Sequence, residues 1–398
     1  MLGKNQSANP DIFKITMSFI LTVVLTLGVI HISHAEEVPA LSVDGKSAVL
    51  IEPTSGEVLF EQNPHEKLAP ASVTKIMTLL LIYESVENGK IKWEDKVTVS
   101  EHAASMGGSQ IFLEPNEQQS VKDLTKSIAI ASANDAAVAR SEFIGGSDEN
   151  FVKMMNEKAA ALGMNDTHFE NACGLDADNH YMSSYDIALM SRELLNKYPE
   201  IQEYTTKWQD TITHTTKKGE TEFGLTNTNK LIKQYNGTIG LKTGSTGKAL
   251  YCLSGAAQRD GMTLIAVIMA APDPKVRFRE VAKMLDYGFS NYTVIKGDTK
   301  STPLAQINVY KGKEDTVNGV LADEVTATVK KGEQAELTKK IETNEGIAAP
   351  FEQGTKVGEV IYYYKDREVG RSDIVTEKAV EKADLLEIIG KLFMKWFE

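Results

Sequence analysis

The sequence predicts an α+β protein of two folded parts with an amphipathic helix at its end. Three observations carry that expectation. Strand-like runs open and close the stretch 36–292, with helical periodicity between them. Past about Tyr292, alternating runs rich in β-branched and aromatic residues take over. From Glu377 the pattern turns helical again, with its apolar residues on one face. The expected units are a leader over 1–35, a mixed domain over 36–292, a β-rich domain over 293–376 and a helix over 377–398.

In the leader, Lys4 and Lys14 precede an apolar run from Ile15 to Ile32, and Ser33-His34-Ala35 offers small residues where a signal peptidase reads them. That is a secretory signal cleaved after Ala35, with an uncleaved anchor as the alternative because the run is long. Either places the body of the protein outside the cytoplasm. Ala48–Ile51 and Val58–Phe60 flank Pro53-Thr54-Ser55-Gly56 and read as a hairpin. Pro70 and Ser72 suit the start of a helix that is apolar through Tyr83, hence buried on most sides, and that ends at Asn88-Gly89. Residues 91–119 read as short elements and loops. Ser120 opens a helix that runs to Ala131, is interrupted at Ser132-Ala133-Asn134 and resumes from Asp135 to Ile144. Ser147-Asp148 opens the next, closed by Gly163, and a helix from about Tyr185 to Asn196 follows a polar loop. After a Thr-rich stretch, strands run over Ile239–Gly244, Leu250–Ala257 and Met262–Met269, the last two joined through Arg259-Asp260-Gly261. Val276–Phe289 reads as a helix packed on that sheet. In the tail, Leu385, Leu386, Ile389, Leu392, Phe393, Trp396 and Phe397 gather on one face, against Glu381, Lys382, Lys391 and Lys395 on the other. Such a helix suits a membrane interface, with docking on the protein's own surface or a dimer contact as alternatives.

Composition narrows the function. Of 398 residues, 55 are acidic and 43 basic, for a net charge of −12, and no long Lys/Arg block occurs, which excludes a nucleic-acid binder. Cys173 and Cys252 are too few for a disulfide framework and read as two free, buried thiols. The seven histidines fall in no metal-ligand spacing, so neither a metal nor another cofactor is expected.

The chemistry starts at Lys75, set in the apolar helix three residues after Ser72 and therefore on the same face. Burial favours the neutral amine, and a neutral amine beside a hydroxyl is a general base beside a nucleophile. A helix cap at Ser72 and a Lys75 reaching for water is the plain alternative. Two more short motifs follow in order, Ser132-x-Asn134 and Lys242-Thr243-Gly244. Singly they mean little: Ser245-x-x-Lys248 and Ser7-x-Asn9 are chance matches in the same chain. Together they lie on a buried helix, a helix break and a strand, three supports able to wall a cleft. Gly244–Lys248 hints at a phosphate loop, but such a loop needs Gly at 242 and Ser or Thr at 249, where Lys242 and Ala249 stand. Acyl transfer gives each group a task. Ser72 attacks a carbonyl and Lys75 takes its proton; Ser132 relays a proton to the leaving amine. Asn134 orients Lys75 and a substrate amide, and Lys242 keeps the site electropositive and depresses the Lys75 amine further. The strand edge from Lys242 to Ser245 pairs with an extended substrate, and the Ser245 and Ser72 amides form an oxyanion hole.

These residues resemble the low-molecular-mass penicillin-binding proteins, in particular the serine D-alanyl-D-alanine carboxypeptidases of peptidase family S11. The likeness extends over Leu68–Lys75, Ala131–Ala136, Gly174-Leu175-Asp176, Lys242-Thr243-Gly244 and Arg277–Glu280, and over the layout of signal, catalytic part, β-rich domain and tail. It implies a β-lactamase/transpeptidase-like catalytic domain, an antiparallel sheet flanked by helices with a largely helical insert over about 90–230. It implies catalytic roles for Ser72, Lys75 and Ser132, and substrate binding by Asn134, Lys242, Thr243, Gly244, Ser245 and, through the terminal carboxylate, Arg277. An ordinary helix-surface charge is the alternative for Arg277. The implied partners are the D-Ala-D-Ala end of peptidoglycan pentapeptides, β-lactams acting as substrate mimics, and the outer face of the cytoplasmic membrane. A serine β-lactamase is the nearest rival, against which the β-rich domain and the tail argue.

Overall fold

The structure is a computed structural model that describes residues 41–396 except Lys218, Ser301, Gln334 and Ala335. The expected signal segment over 1–35 and Phe397 lie outside the described residues. The first domain is built on a five-stranded, wholly antiparallel sheet. Its order is Val58–Gln62, Ser47–Ile51, Met262–Ala271, Leu250–Arg259, Thr238–Thr246, so the first hairpin of the chain pairs with strands two hundred residues later. Alternation along the strands gives each face its own core. Val49, Ile51, Ile265 and Val267 join Ile76, Met77, Leu79 and Leu80 in the larger cluster. Leu50 and Leu264 point the other way, onto the helix Pro274–Asn291, which approaches so closely that a Cβ on Gly288 would stand 2.5 Å from Leu264 Cδ1.

The helix Lys75–Glu87 runs through the larger core with ten of its residues buried, which is why its sequence shows almost no polar face. Helices Val121–Ile130, Asn134–Gly145 and Asp148–Ala161 pack around it. Ser120 Oγ accepts the Asp123 amide at 2.9 Å and Ser147 Oγ that of Asn150 at 3.2 Å, the N-caps expected at both positions. The insert also holds two strand pairs, a short one of Lys96–Thr98 with Gln118–Ser120 and a longer one. Gln209–Thr216 and Gly219–Thr226 form a hairpin that buries Ile212, His214 and Leu225 among threonines and charges, too thin a signal to read in sequence. Glu117 Oε1 accepts a hydrogen bond from the His214 ring at 2.7 Å and ties the hairpin down.

The second domain is all β. Tyr292–Lys296 pairs with Thr326–Lys330, and six further strands form a sheet in the order Leu337–Thr343, Lys356–Tyr364, Arg367–Thr376, Thr316–Leu321, Ala305–Tyr310, Gly346–Ala348. Its core holds Ile307, Val317, Leu321, Val357, Val360, Tyr362, Ile374 and Val380. Val380 corrects the expected start of the tail helix. Residues 377–383 are not helical; they run along the β domain, with Val380 paired to Phe351 and Lys382 to Gly312. The helix spans Leu385–Trp396, opened by a capping box in which Asp384 accepts the Glu387 amide and Glu387 accepts the Asp384 amide, both at 2.8 Å. Leu385, Leu386, Ile389 and Phe393 are exposed, while Lys391 donates to Asp315 at 2.7 Å and to the Gly312 carbonyl at 3.0 Å. Among the described residues no helix is long and apolar enough to cross a membrane.

The two domains meet at the first hairpin. The buried Glu52 carboxylate accepts the Thr54 amide at 3.0 Å, the Ser55 amide at 2.6 Å and Ser55 Oγ at 2.7 Å, fixing the turn that Pro53 and Gly56 outline. Ser55 Oγ in turn lies 3.0 Å from Thr328 Oγ1 of the β domain, and Arg367 grips Glu57 with both carboxylate oxygens within 3.1 Å. Charge-assisted bonds to buried amides contribute more than neutral ones. Glu52→Ala is expected to cost about 3 kcal/mol, read as a lower urea midpoint, with Glu52→Gln in between. An unchanged midpoint for Glu52→Ala would show that the turn does not depend on it.

Candidate active site

The strand Thr238–Thr246 is the free edge of the sheet, and the turn that carries Ser72 lies against it. Ala71–Thr74 form a single 3₁₀ turn before the α-helix begins at Lys75. Two glycines let this turn sit where it does. A Cβ on Gly244 would stand 2.7 Å from the Pro70 carbonyl and 3.0 Å from the Ser72 amide nitrogen. On the other side Gly174, at φ +88°, passes so near Ala71 that its Cβ would overlap that residue's carbonyl oxygen. Gly174 and Gly244 thus press the Ser72 backbone between a loop and a strand.

Lys75 is fully buried and does not reach for water. Its Nζ lies 3.0 Å from Ser72 Oγ, 2.6 Å from Asn134 Oδ1 and 2.7 Å from the Cys173 carbonyl. Ser72 therefore spends its hydroxyl on Lys75, and neither the 3₁₀ turn nor the helix has a side-chain cap. A neutral amine has two N–H groups. Donated to Asn134 and Cys173, they leave the lone pair facing Ser72. Burial lowers the Lys75 pKa to about 8, against smaller opposing contributions from Cys173 and Asp135.

Asn134 opens the helix that follows the break, and its Nδ2 donates to the Gly107 carbonyl at 2.7 Å. Ser132, at φ +62°, is buried in the bend between the two helices, a left-handed conformation unusual for a residue with a side chain. The bend brings Asn134 to Lys75; among the described residues no hydrogen bond joins Ser132 to Ser72, Lys75 or Lys242.

Lys242 is buried on the edge strand beside the Ser254 position, and Thr243 Oγ1 lies 2.7 Å from Thr228 Oγ1. Ser245 is exposed. The depression expected at Lys75 from Lys242 is seen at Lys242 instead. Burial, then the nearby Lys75, then Arg277 push the Lys242 ammonium well below its usual range, while burial is what lowers Lys75. Arg277 is no surface charge. It is 9% exposed, its Nη1 donates to the Gly244 carbonyl at 3.0 Å and to that of Cys252 at 3.4 Å, and burial lowers its pKa. Cys173 and Cys252 are both buried and unpaired with each other.

Three contributors carry no motif. The Cys173 carbonyl is a backbone group, which no side-chain pattern can show. Asp135 is buried and accepts the amides of Ile111 at 3.1 Å and Leu113 at 3.1 Å, holding a loop against Asn134. His180 accepts the Glu170 amide on Nδ1 at 3.0 Å, so its proton is on Nε2, 2.8 Å from Thr74 Oγ1 in the Ser72 turn. Burial lowers the His180 pKa to about 4, which keeps that ring neutral.

A serine hydroxyl beside a buried amine of lowered pKa, under a glycine-flanked strand edge, is an arrangement that suits a serine hydrolase. Residues 33–273 match the family profile described as D-alanyl-D-alanine carboxypeptidase, and residues 289–382 that of the penicillin-binding protein 5 C-terminal domain. The chain belongs to the serine D-alanyl-D-alanine carboxypeptidases of peptidase family S11. It is 44% identical over 357 residues to the D-alanyl-D-alanine carboxypeptidase DacF of Bacillus subtilis, covering 89% of this chain and 91% of that one. Penicillin binding protein 5 from Haemophilus influenzae superposes with a TM-score of 0.69 at 30% identity, over 86% of this chain and 99% of that one. A peptidoglycan synthesis regulatory factor (PBP3) from Streptococcus pneumoniae gives 0.72 at 29% identity, over 86% and 100%.

Protonated Lys75 cannot accept a proton, so acylation of Ser72 by an active-ester reagent is expected to rise with pH, with a midpoint near 8. Two pH units below that midpoint the rate should be about one hundredth of the plateau. Lys75→Arg, which holds its charge, should remove the rise and lower the plateau by about a hundredfold or more. A rate independent of pH between 6 and 9 would count against Lys75 as the base.

Proposed function

We propose that this protein is exported and removes the terminal D-alanine from peptidoglycan stem pentapeptides through an acyl-enzyme on Ser72. The observation that carries this reading is the 3.0 Å contact between Ser72 Oγ and the fully buried Lys75 amine. Ser72 Oγ attacks the carbonyl between the last two D-alanines as its proton passes to Lys75 Nζ. The tetrahedral oxyanion takes hydrogen bonds from the Ser72 and Ser245 amides. Collapse breaks the peptide bond, and the departing amine takes a proton relayed through Ser132. Water then hydrolyses the ester, with Lys75 again accepting a proton. Asn134, Thr243 and Gly244 line the bound backbone.

The terminal carboxylate falls to Lys242, with Arg277 adding charge from behind the Gly244 carbonyl it holds. Burial first, then repulsion from Lys75 and Arg277, lowers the Lys242 pKa; a carboxylate beside it opposes both, so binding takes up a proton. β-Lactams present the same carbonyl and carboxylate and acylate Ser72. In this reading the catalytic domain covers 36–292 and the β domain and tail follow, the latter meeting the outer face of the membrane with Leu385, Leu386, Ile389 and Phe393.

Incubated with a diacyl-Lys-D-Ala-D-Ala peptide, the full chain should release D-alanine, and Ser72→Ala should release it about ten-thousandfold more slowly. No release by the wild type, or equal release by Ser72→Ala, would sink the proposal. For the tail, the full chain should sediment with anionic phospholipid vesicles. Leu386→Glu with Ile389→Glu should weaken that binding at least about tenfold without changing D-alanine release. Equal sedimentation would place the exposed apolar face elsewhere.

A further inference from the structure

The loop 107–113 presents an exposed aromatic side chain in a conformation that costs free energy. Phe112 has φ +59° and is 67% exposed. A bulky residue in the left-handed region persists only where its surroundings impose it. What imposes it here is Asp135: the carboxylate accepts the amides on both sides of Phe112, those of Ile111 and Leu113, each at 3.1 Å, which turns residue 112 outward. The same loop is tied to the residue before Asp135. The Asn134 amide nitrogen donates to the Ser109 carbonyl at 2.7 Å and its Nδ2 to the Gly107 carbonyl at 2.7 Å, while its Oδ1 takes a bond from Lys75. One short segment thus connects the catalytic amine to the position of Phe112. Phe223, on the hairpin Gly219–Thr226, meets the Phe112 ring edge to face at 6.0 Å and braces it from the other side.

Packing alone would not produce this arrangement, because a solvent-facing ring contributes little burial for the backbone cost. We propose that Phe112 is a substrate-binding residue: an apolar platform at the Asn134 wall of the site that receives the aliphatic chain of the acyl group two residues before the scissile terminus. Such a chain is the methylene stem of a dibasic amino acid. An extended peptide on the Thr238–Thr246 edge alternates its side chains between the two faces of the sheet, so every second one lies on the face that carries the Lys75 helix and Asn134. A flat ring with its hydrogen-bonding neighbours already satisfied takes methylenes without asking for a polar partner, and D-alanine itself is too short to use it. This inference rests on the carboxypeptidase reading above.

The test separates binding from folding by two variants of the full chain. Phe112→Ala removes the ring and keeps the strained backbone; Phe112→Gly removes both. With diacyl-Lys-D-Ala-D-Ala, both variants should lose about tenfold in kcat/KM, chiefly through KM. The preference for acylation by a penicillin with a large apolar side chain over the unsubstituted penam nucleus should fall about as much. Phe112→Gly should nevertheless melt at a higher temperature than Phe112→Ala, because glycine adopts positive φ without cost. Higher stability joined to lower selectivity is an outcome a structural role does not give. Wild-type selectivity in both variants, or losses that follow the melting temperatures, would overturn the proposal. A wild type that releases no D-alanine and is not acylated by either penam would instead fail the parent reading, and this one with it.

Discussion

A lysine amine without water is the condition on which the rest of this structure turns. Lys75 has no exposed surface, and among the described residues three acceptors meet it. Removing a charge from water is costly, and a site that does so lowers the pKa until the neutral form is within reach at ordinary pH. Everything nearby serves that state. The apolar run from Ile76 to Ile82 encloses the amine, Asn134 and Cys173 hold its two hydrogens, and Ser72 receives what is left. A carboxylate in hydrogen-bonding contact would have kept the lysine charged. The one that Lys75 feels, Asp135, is turned to backbone amides instead.

Backbone accounts for as much of the site as side chains do. The Ser72 turn is flanked by Gly174 and Gly244, which have no Cβ to collide with it. Thr74 fastens the same turn to a neutral His180. Arg277 holds the carbonyl of Gly244, which supports the strand edge that lies against the Ser72 turn. Catalytic geometry at this level is made by close approach, and close approach is made by what the sequence leaves out.

That contrast explains how much of the molecule was legible beforehand. The buried helix, the caps at Ser120 and Ser147, the hairpin turning at Asp260 and the β character past Tyr292 follow from periodicity and turn chemistry, which are local. Ser72, Lys75, Asn134 and Lys242 stand in short motifs, and the fold brings them to one place. The hairpin over Gln209–Thr226 escaped because threonines alternate no visible hydrophobicity. The tail helix begins eight residues later than its composition suggests, since Val380 is claimed by the β domain's core. The Cys173 carbonyl and the Asp135 clamp were out of reach altogether: each depends on a contact between distant segments, and one of them has no side chain to notice.

The join at the first hairpin has a geometric consequence. Glu52, Ser55 and Glu57 fasten the β domain to a turn that grows directly out of the five-stranded sheet, and Lys391 fastens the terminal helix to the same β domain at Gly312 and Asp315. Polar joins therefore stand at both ends of the β domain, between the sheet that carries Lys242 and the terminal helix. Loss of either join would free the exposed apolar face of Leu385–Trp396 to turn relative to the sheet that carries Lys242.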